Sequence, residues 1–170
     1  MADITTSKID ALLDDAFVSK GSRSMTPAER QLMQRVYGNA VNFSKVRIRK
    51  GTVLTVLSDA LTIRNTISYD EDSFQDDFSP IVNDMALLCH ELCHVWQHQN
   101  PKIDYSYWNA LGEHIEYGDE VYEYDLDTNN SLTDYRFEQQ GKILQDYYPL
   151  LVLGLDVTNF EKVIYSSIEK

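Results

Sequence analysis

Residues 88–97 read Leu-Cys-His-Glu-Leu-Cys-His-Val-Trp-Gln, and the prediction of the fold rests mainly on this stretch. It lies in a segment with a helical pattern that continues through Gln99. On a helix, His90 and His94 project from one face about one turn apart. The apolar side chains of the segment fall on the other faces. The sequence therefore predicts a helix with its reactive polar side chains along one edge and apolar side chains on the opposite side.

The pair of histidines predicts a metal site. Two imidazole nitrogens spaced four residues apart on a helix can reach one Zn²⁺ at bonding distance. Glu91 lies about 100° around the helix from His90, where its carboxylate can accept a proton from a water molecule that the metal activates. His98 continues the series, but it is too far along the axis to share one metal with His90 and His94, and we expect it at the rim of the site.

A catalytic zinc ion needs a third protein ligand, and Glu138 is the favoured candidate. Glu138 lies in a second predicted helix, where Gly141 falls on the same face one turn later. A glycine inside a helix costs about 1 kcal/mol relative to alanine, which is easier to understand if another helix approaches closely there. The alternatives ranked behind Glu138 are His114, Glu113, Asp119 and Asp134.

The other predicted elements place this helix in a single α+β domain that spans all 170 residues, mainly helical with a small β-sheet. Before the motif helix we predict a helix within residues 4–18, a helix from a capping box at Thr26 and Glu29 to Tyr37, and strands at Lys45–Lys50 and Leu61–Tyr69. The motif helix starts at Ser79-Pro80, and an irregular segment over 101–131 follows it. A second long helix then runs from Ser131–Asp134 to Tyr148, where Pro149 interrupts it, and a short helix lies within 156–170.

The stretch 88–97 resembles the active-site helix of the gluzincin-type metallopeptidases. More narrowly, it is similar to the small zincins found beside bacterial contractile injection systems and called Vgr-related proteins. The resemblance also includes Val46-Arg47-Ile48 with Gly51, Tyr122-Glu123-Tyr124, and Tyr135 through Glu138-Gln139-Gln140 to Asp146-Tyr147-Tyr148. It covers a core of about residues 26–150, flanked by an N-terminal helix and loop over 1–25 and a C-terminal helix over 151–170.

This resemblance implies a zincin-like fold in which the active-site helix and a second ligand-bearing helix hold one zinc ion. The implied ligands are His90, His94 and Glu138, with Glu91 as general base. It further implies association with type VI or related secretion machinery. The sequence departs from thermolysin-like gluzincins one turn after Glu138, where Lys142 stands in place of an aspartate that orients a histidine. The substitute for that aspartate is predicted to be Asp146 or Gln145.

The predicted activity is hydrolysis of a peptide or protein substrate by a zinc-dependent metallohydrolase. Glu91 would accept the proton from water and deliver it to the leaving amine. The oxyanion needs a further hydrogen-bond donor, and Tyr122 and Tyr124 are the candidates, with Tyr117 and His114 behind them. Three alternatives stay open: a non-catalytic zinc-binding adaptor of a contractile injection system, a zinc amidase toxin that acts on the cell wall, and an iron or manganese site that activates oxygen.

Composition limits the partners. The formal net charge of −12 argues against binding nucleic acid, and the one basic stretch, residues 45–50, alternates charged with apolar residues as a half-buried strand does. No apolar run is long enough to cross a membrane, and no signal peptide is visible. Cys89 and Cys93 are expected to be buried thiols in a reducing compartment. The prediction is a cytoplasmic protein, or one exported by a system that reads no signal peptide.

Overall fold

The computed structural model describes residues 22–51 and 60–169, and the helix predicted within residues 4–18 lies outside them. The helices are α1 (Pro27–Tyr37), α2 (Val82–Gln99), α3 (Tyr107–Tyr117), α4 (Phe137–Leu153) and α5 (Thr158–Ile164). The strands are β1 (Arg47–Lys50), β2 (Ala60–Ile63) and β3 (Thr66–Tyr69), and short 3-10 turns lie at Phe43–Lys45, Gly118–Tyr122 and Leu132–Asp134. The architecture is α+β and mainly helical with a small sheet, as the sequence predicts.

The sheet has the strand order β1-β3-β2, in which β1 is parallel and β2 antiparallel to β3. The prediction of one strand over Leu61–Tyr69 is wrong, because this segment folds into the β2–β3 hairpin. Ile63 pairs with Thr66, which leaves a two-residue turn at Arg64 and Asn65. Arg64 has a φ of 57°, and two-residue hairpin turns require this left-handed backbone.

The capping box predicted at the start of α1 is confirmed, and its glutamate also forms an ion pair with a partly buried arginine. The Thr26 hydroxyl accepts from the Glu29 amide at 3.1 Å, and the Glu29 carboxylate accepts from the Thr26 amide at 2.8 Å. Arg23 donates to both carboxylate oxygens at 2.9 and 2.8 Å, and the Phe78 amide donates at 2.9 Å. Glu29 therefore joins α1 to the segment that leads into α2.

Helix α2 is the centre of the molecule. Every residue from Met85 to Gln97 except Leu87 is buried, so α2 is covered on more sides than an amphipathic surface helix. Its most extensive helical contact is with α4, and it also packs against β2. The Tyr37 hydroxyl of α1 donates to the Cys89 carbonyl at 2.6 Å. Among the described residues, no helix combines the length and apolar character needed to span a bilayer.

The prediction of an irregular segment over residues 101–131 is wrong, because it contains α3. Ser106 caps this helix by accepting from the Asn109 amide at 3.2 Å, and Gly118 ends it with a φ of 55°. Ala110 is its one buried residue. Trp108, Leu111 and Ile115 recur on one face of α3 at helical spacing, but Trp108 and Ile115 are exposed, so this apolar stripe packs little against the core.

The second long helix, α4, also differs from its prediction. It continues through Pro149 to Leu153 and ends at Gly154, which has a left-handed φ of 69°. Proline inside a helix removes one hydrogen bond and costs about 3 kcal/mol. Tyr147 and Tyr148, just before the proline, are buried in the core, and this packing outweighs the local preference. The predicted short C-terminal helix is confirmed as α5.

Candidate metal centre

Two helices bring three buried ligand groups together. His90 and His94 project from α2, and Glu138 projects from the first turn of α4. The His90 and His94 Nε2 atoms lie 3.2 Å apart, and the Glu138 Oε2 lies 3.1 Å from the first and 3.4 Å from the second. Each of the three residues is only 5% exposed. Together they form a cluster of histidine and carboxylate side chains that could hold a metal ion.

The spacing of these atoms fits zinc. Ligands bound at about 2.0–2.1 Å in a tetrahedral arrangement lie about 3.3 Å from one another. The three observed separations, 3.1, 3.2 and 3.4 Å, describe one face of such a tetrahedron. Two imidazoles and one carboxylate are also the ligand set of catalytic zinc sites that keep a fourth position open. The three side chains are therefore arranged for a metal without a large rearrangement.

Gly141 allows the two helices to approach this closely. A Cβ atom on Gly141 would lie 2.7 Å from both Cε1 and Nε2 of the His90 ring, and 2.9 Å from its Cδ2. Carbon atoms do not approach one another so closely without a shift in structure. The close approach expected from a glycine inside this helix is confirmed, and the neighbouring group is a candidate ligand itself.

The alternatives to Glu138 surround it in other roles. Glu113 accepts hydrogen bonds from the backbone amides of Phe137 and Glu138 at 3.2 and 3.4 Å, so it caps the start of α4. His114 Nε2 lies 3.2 Å from Glu138 Oε1, the oxygen that faces away from the His90–His94 pair. Asp134 binds the Ser131 amide and hydroxyl at 2.7 and 2.8 Å in the turn before α4. The fourth alternative, Asp119, is exposed.

Electrostatics couple the carboxylate to the rings. Burial would raise the pKa of Glu138, but the charge on His94 and hydrogen bonds to His114, His90 and His94 together lower it well below its ordinary value. Burial also disfavours a charged His94, yet the nearby Glu138 carboxylate raises the pKa of His94 to about 9. The opposite charges of Glu138 and His94 attract each other, and a cation bound between them would replace the proton on His94.

Glu91 lies beside the ligands and is held by a residue that the sequence did not identify. Glu91 is 5% exposed, and the Thr62 hydroxyl donates to its Oε2 at 2.6 Å. Thr62 belongs to β2, which packs against α2. No spacing rule joins two residues 29 positions apart on different elements, so only the three-dimensional fold reveals this contact.

The ligands open into a cleft of about 200 Å³. Its lining comes from β2, α2, α3, α4 and the segments between them: Ala60, Leu61, Thr62, His90, Glu91, His94, Tyr105, Tyr107, Ala110, Leu111, His114, Tyr122 and Glu138. Most of this surface is aliphatic or aromatic, with the polar groups gathered at the three candidate ligands. The cleft therefore offers a mainly apolar space beside the reactive groups.

The structure separates the two tyrosines proposed as oxyanion donors. Tyr122 lines the cleft, and its ring centroid lies 6.0 Å from that of His90 and 5.5 Å from that of His114. Tyr124 does not line the cleft, because its hydroxyl donates to Asp146 at 2.9 Å in a neighbouring groove. Burial and then the Asp146 charge raise the pKa of Tyr124.

Other candidates lie outside the centre. Asp146 binds Tyr124 and Lys142 instead of a ligand histidine. The side chain that contacts a candidate ligand histidine is instead Gln97, which the sequence did not single out for this role. Its Oε1 lies 2.9 Å from His94 Nδ1. His98 is partly exposed near the end of α2 and is not in the cleft lining.

Comparison with known proteins places this architecture in a wider context. The sequence model of the family described as "eCIS core domain" matches residues 24–102, which include α1, the sheet and α2.

The chain is also similar to the type VI secretion system spike protein VgrG2b of Pseudomonas aeruginosa, with 31% identity over 137 residues. The match covers 76% of this chain but only 13% of VgrG2b. The solved effector domain of VgrG2b superposes with a TM-score of 0.69 at 24% identity, covering 88% of this chain and 84% of that domain. The chain therefore has the fold of that effector domain.

Proposed function

We propose that this protein is a zinc-dependent metallohydrolase with a zincin-like fold, and that its reaction is cleavage of a peptide or protein substrate. The observation that carries the proposal is the near-tetrahedral face formed by the nitrogens of His90 and His94 and one oxygen of Glu138, with the buried Glu91 beside it. A site built only to hold a metal needs no carboxylate next to the ligands, so Glu91 favours hydrolysis over a purely structural role.

The chemistry that zinc supplies in such a site is polarisation of the substrate carbonyl and acidification of a water molecule. Glu91 is the general base. Because the Thr62 hydroxyl occupies Oε2 of Glu91, Oε1 is the oxygen that accepts the proton and later delivers it to the leaving amine. Thr62 thus fixes both the position of the base and the oxygen that acts.

Tyr122 supplies a hydrogen bond to the oxyanion in this proposal. It lines the cleft and its ring packs near those of His90 and His114. Tyr124, the other candidate from the sequence, is assigned a structural role because its hydroxyl donates to Asp146 outside the cleft. Donors other than the metal are needed because charge develops on the carbonyl oxygen during attack.

The proposed setting is a bacterial secretion system of the type VI or related contractile kind. Similarity to the effector domain of VgrG2b and to the family described as "eCIS core domain" supports this setting. The chain spans 13% of VgrG2b, so the activity and partners of the whole spike protein apply to this chain only as part of the proposal.

The test compares the wild-type protein with Glu91→Gln on a peptide library, at equal and measured zinc content. We expect cleavage by the wild type and a loss of at least about 100-fold in Glu91→Gln, since general base catalysis contributes about 10²–10⁴-fold. Glu71→Gln, which removes an exposed carboxylate, is the matched control and should cleave normally. Equal cleavage by wild type and Glu91→Gln at equal zinc content would exclude this mechanism.

The same preparation distinguishes the rival functions. Hydrolysis of cell-wall amides instead of peptides would identify an amidase with the same zinc chemistry. Iron or manganese, found in protein purified without chelators, would point to a site that activates oxygen. Zinc at one equivalent with no hydrolysis of either substrate class would support the adaptor.

A further inference from the structure

We infer that Gln97 and Gln140 form a buried amide relay that assigns the two ring nitrogens of His94, so that Nδ1 carries the proton and Nε2 is left for the metal. This inference rests on the metal site of the proposed function. It makes the two glutamines positioning residues that act through His94.

The relay begins at a backbone carbonyl in the turn before α4. Gln140 Nε2 donates to the Tyr135 carbonyl oxygen at 2.7 Å. A carbonyl oxygen only accepts hydrogen bonds, so this contact fixes which end of the Gln140 amide is the NH₂ group. Gln140 Oε1 then accepts from Gln97 Nε2 at 2.9 Å.

The Gln97 amide is fixed in the same way from a second carbonyl. Its Nε2 donates to the Phe137 carbonyl oxygen at 3.1 Å, in addition to Gln140. The opposite end, Oε1, must therefore face His94 Nδ1, which lies 2.9 Å away. An amide oxygen cannot donate, so Nδ1 of His94 has to be the donor and carries a proton.

The consequence falls on the other ring nitrogen. When His94 is neutral, its single proton is held on Nδ1, and the lone pair belongs to Nε2. Nε2 is the atom that faces His90 Nε2 at 3.2 Å and Glu138 Oε2 at 3.4 Å. The relay thus directs the lone pair toward the position that a metal would take.

Burial makes the assignment firm. Gln97 is 0% and Gln140 2% exposed, so water cannot replace a partner that is lost. His90 differs, since its buried Nδ1 has no hydrogen-bond partner within residues 22–51 and 60–169. The relay therefore acts on one of the two ligand rings and also joins α2 to α4 beside Gly141.

The test uses two substitutions at one position. Gln97→Met removes both ends of the amide at similar size, whereas Gln97→Glu keeps an acceptor for His94 Nδ1 and loses only the donor. We expect the zinc dissociation constant to rise about 10–100-fold in Gln97→Met, as for other partners of ligand histidines, and to rise less in Gln97→Glu. Val95→Ala is the control for lost packing, because Val95 lies on the same helix and packs in the hydrophobic core of the protein. This variant should bind zinc as the wild type does.

A spectroscopic readout tests the relay independently of metal binding. In a long-range ¹H–¹⁵N spectrum of the metal-free wild type, recorded at a pH at which the His94 ring is neutral, the single ring proton of His94 should lie on Nδ1 and be protected from exchange, and Gln97→Met should lose that protection. Absence of a protected Nδ1 proton in the wild type would overturn the relay, whether or not zinc binds. Equal zinc affinities of Gln97→Met and Gln97→Glu would also overturn the relay. A wild type that shows the protected proton but binds no zinc would leave the relay standing and refute only the proposed function.

Discussion

Substitution of Gly141 by alanine should separate metal binding from folding. The new Cβ atom would lie 2.7 Å from two atoms of the His90 ring, nearly 1 Å inside ordinary carbon contact of about 3.5–4.0 Å. Overpacking of this kind costs about 1–3 kcal/mol, whereas replacing a helical glycine by alanine gains about 1 kcal/mol. We therefore expect a net loss of about 0–2 kcal/mol in the free energy of unfolding.

The effect on metal binding should be larger, because His90 Nε2 is one of the atoms displaced. Changes to partners of a ligand cost about 10–100-fold in metal affinity, and a shift of the ligand itself should cost at least as much. Competition with a chelating zinc indicator measures the dissociation constant, and chemical denaturation measures stability. Gly112→Ala is the matched control: Gly112 is also helical, and a Cβ atom there meets nothing within 4 Å. Unchanged zinc affinity in Gly141→Ala would refute the assignment of His90 as a ligand.

Three further predictions concern the base, the thiols and the ion pair of Glu29. Thr62→Val should lower kcat about tenfold or more with little change in zinc content, because hydrogen bonds to charged groups contribute about 1.5–3 kcal/mol; a normal kcat would refute the role of Thr62 in holding Glu91. Burial raises the pKa of Cys89 to about 12 and the pKa of Cys93 above its ordinary value. An aromatic disulfide reagent should therefore label neither thiol in the native protein and both after denaturation, and rapid labelling of the native protein would contradict this. Glu29→Ala should lower the free energy of unfolding by about 3 kcal/mol, since it leaves a partly buried arginine unpaired, and a loss below about 1 kcal/mol in urea denaturation would contradict that.

The sequence was informative about the centre because local spacing determines that part of the site. The i, i+4 relation puts His90 and His94 on one face of any helix, and the structure adds only that this face is buried. Gly141 gave long-range information as well, since its cost within a helix indicated a close neighbour before that neighbour was known.

Helix α3 and the β2–β3 hairpin differ from their predictions. The sequence of α3 carries helix signals that the prediction of an irregular segment left out: caps at Ser106 and Gly118, and Trp108, Leu111 and Ile115 on one face. The turn at Arg64 and Asn65 lacked a glycine, and a run of β-branched residues around it looked like one continuous strand.

The contacts that hold the reactive groups depend on packing between different elements. Thr62 reaches Glu91 from a strand of the sheet. Gln97 lies three residues after His94 on the same helix, so spacing places it nearby, but the Phe137 carbonyl at the start of α4 determines which end of its amide faces the ring. Asp146, one of the two residues predicted as the orienting group, accepts a hydrogen bond from Tyr124 instead. Local rules therefore identified the candidate ligands, whereas the groups that position them required the fold.

Anomalous diffraction at the zinc absorption edge, from crystals of protein grown with zinc, tests the central claim most directly. We expect one anomalous peak, at bonding distance from Nε2 of His90, Nε2 of His94 and Oε2 of Glu138. No peak, or a peak that contacts neither histidine, would contradict the assignment of these three side chains as a metal site.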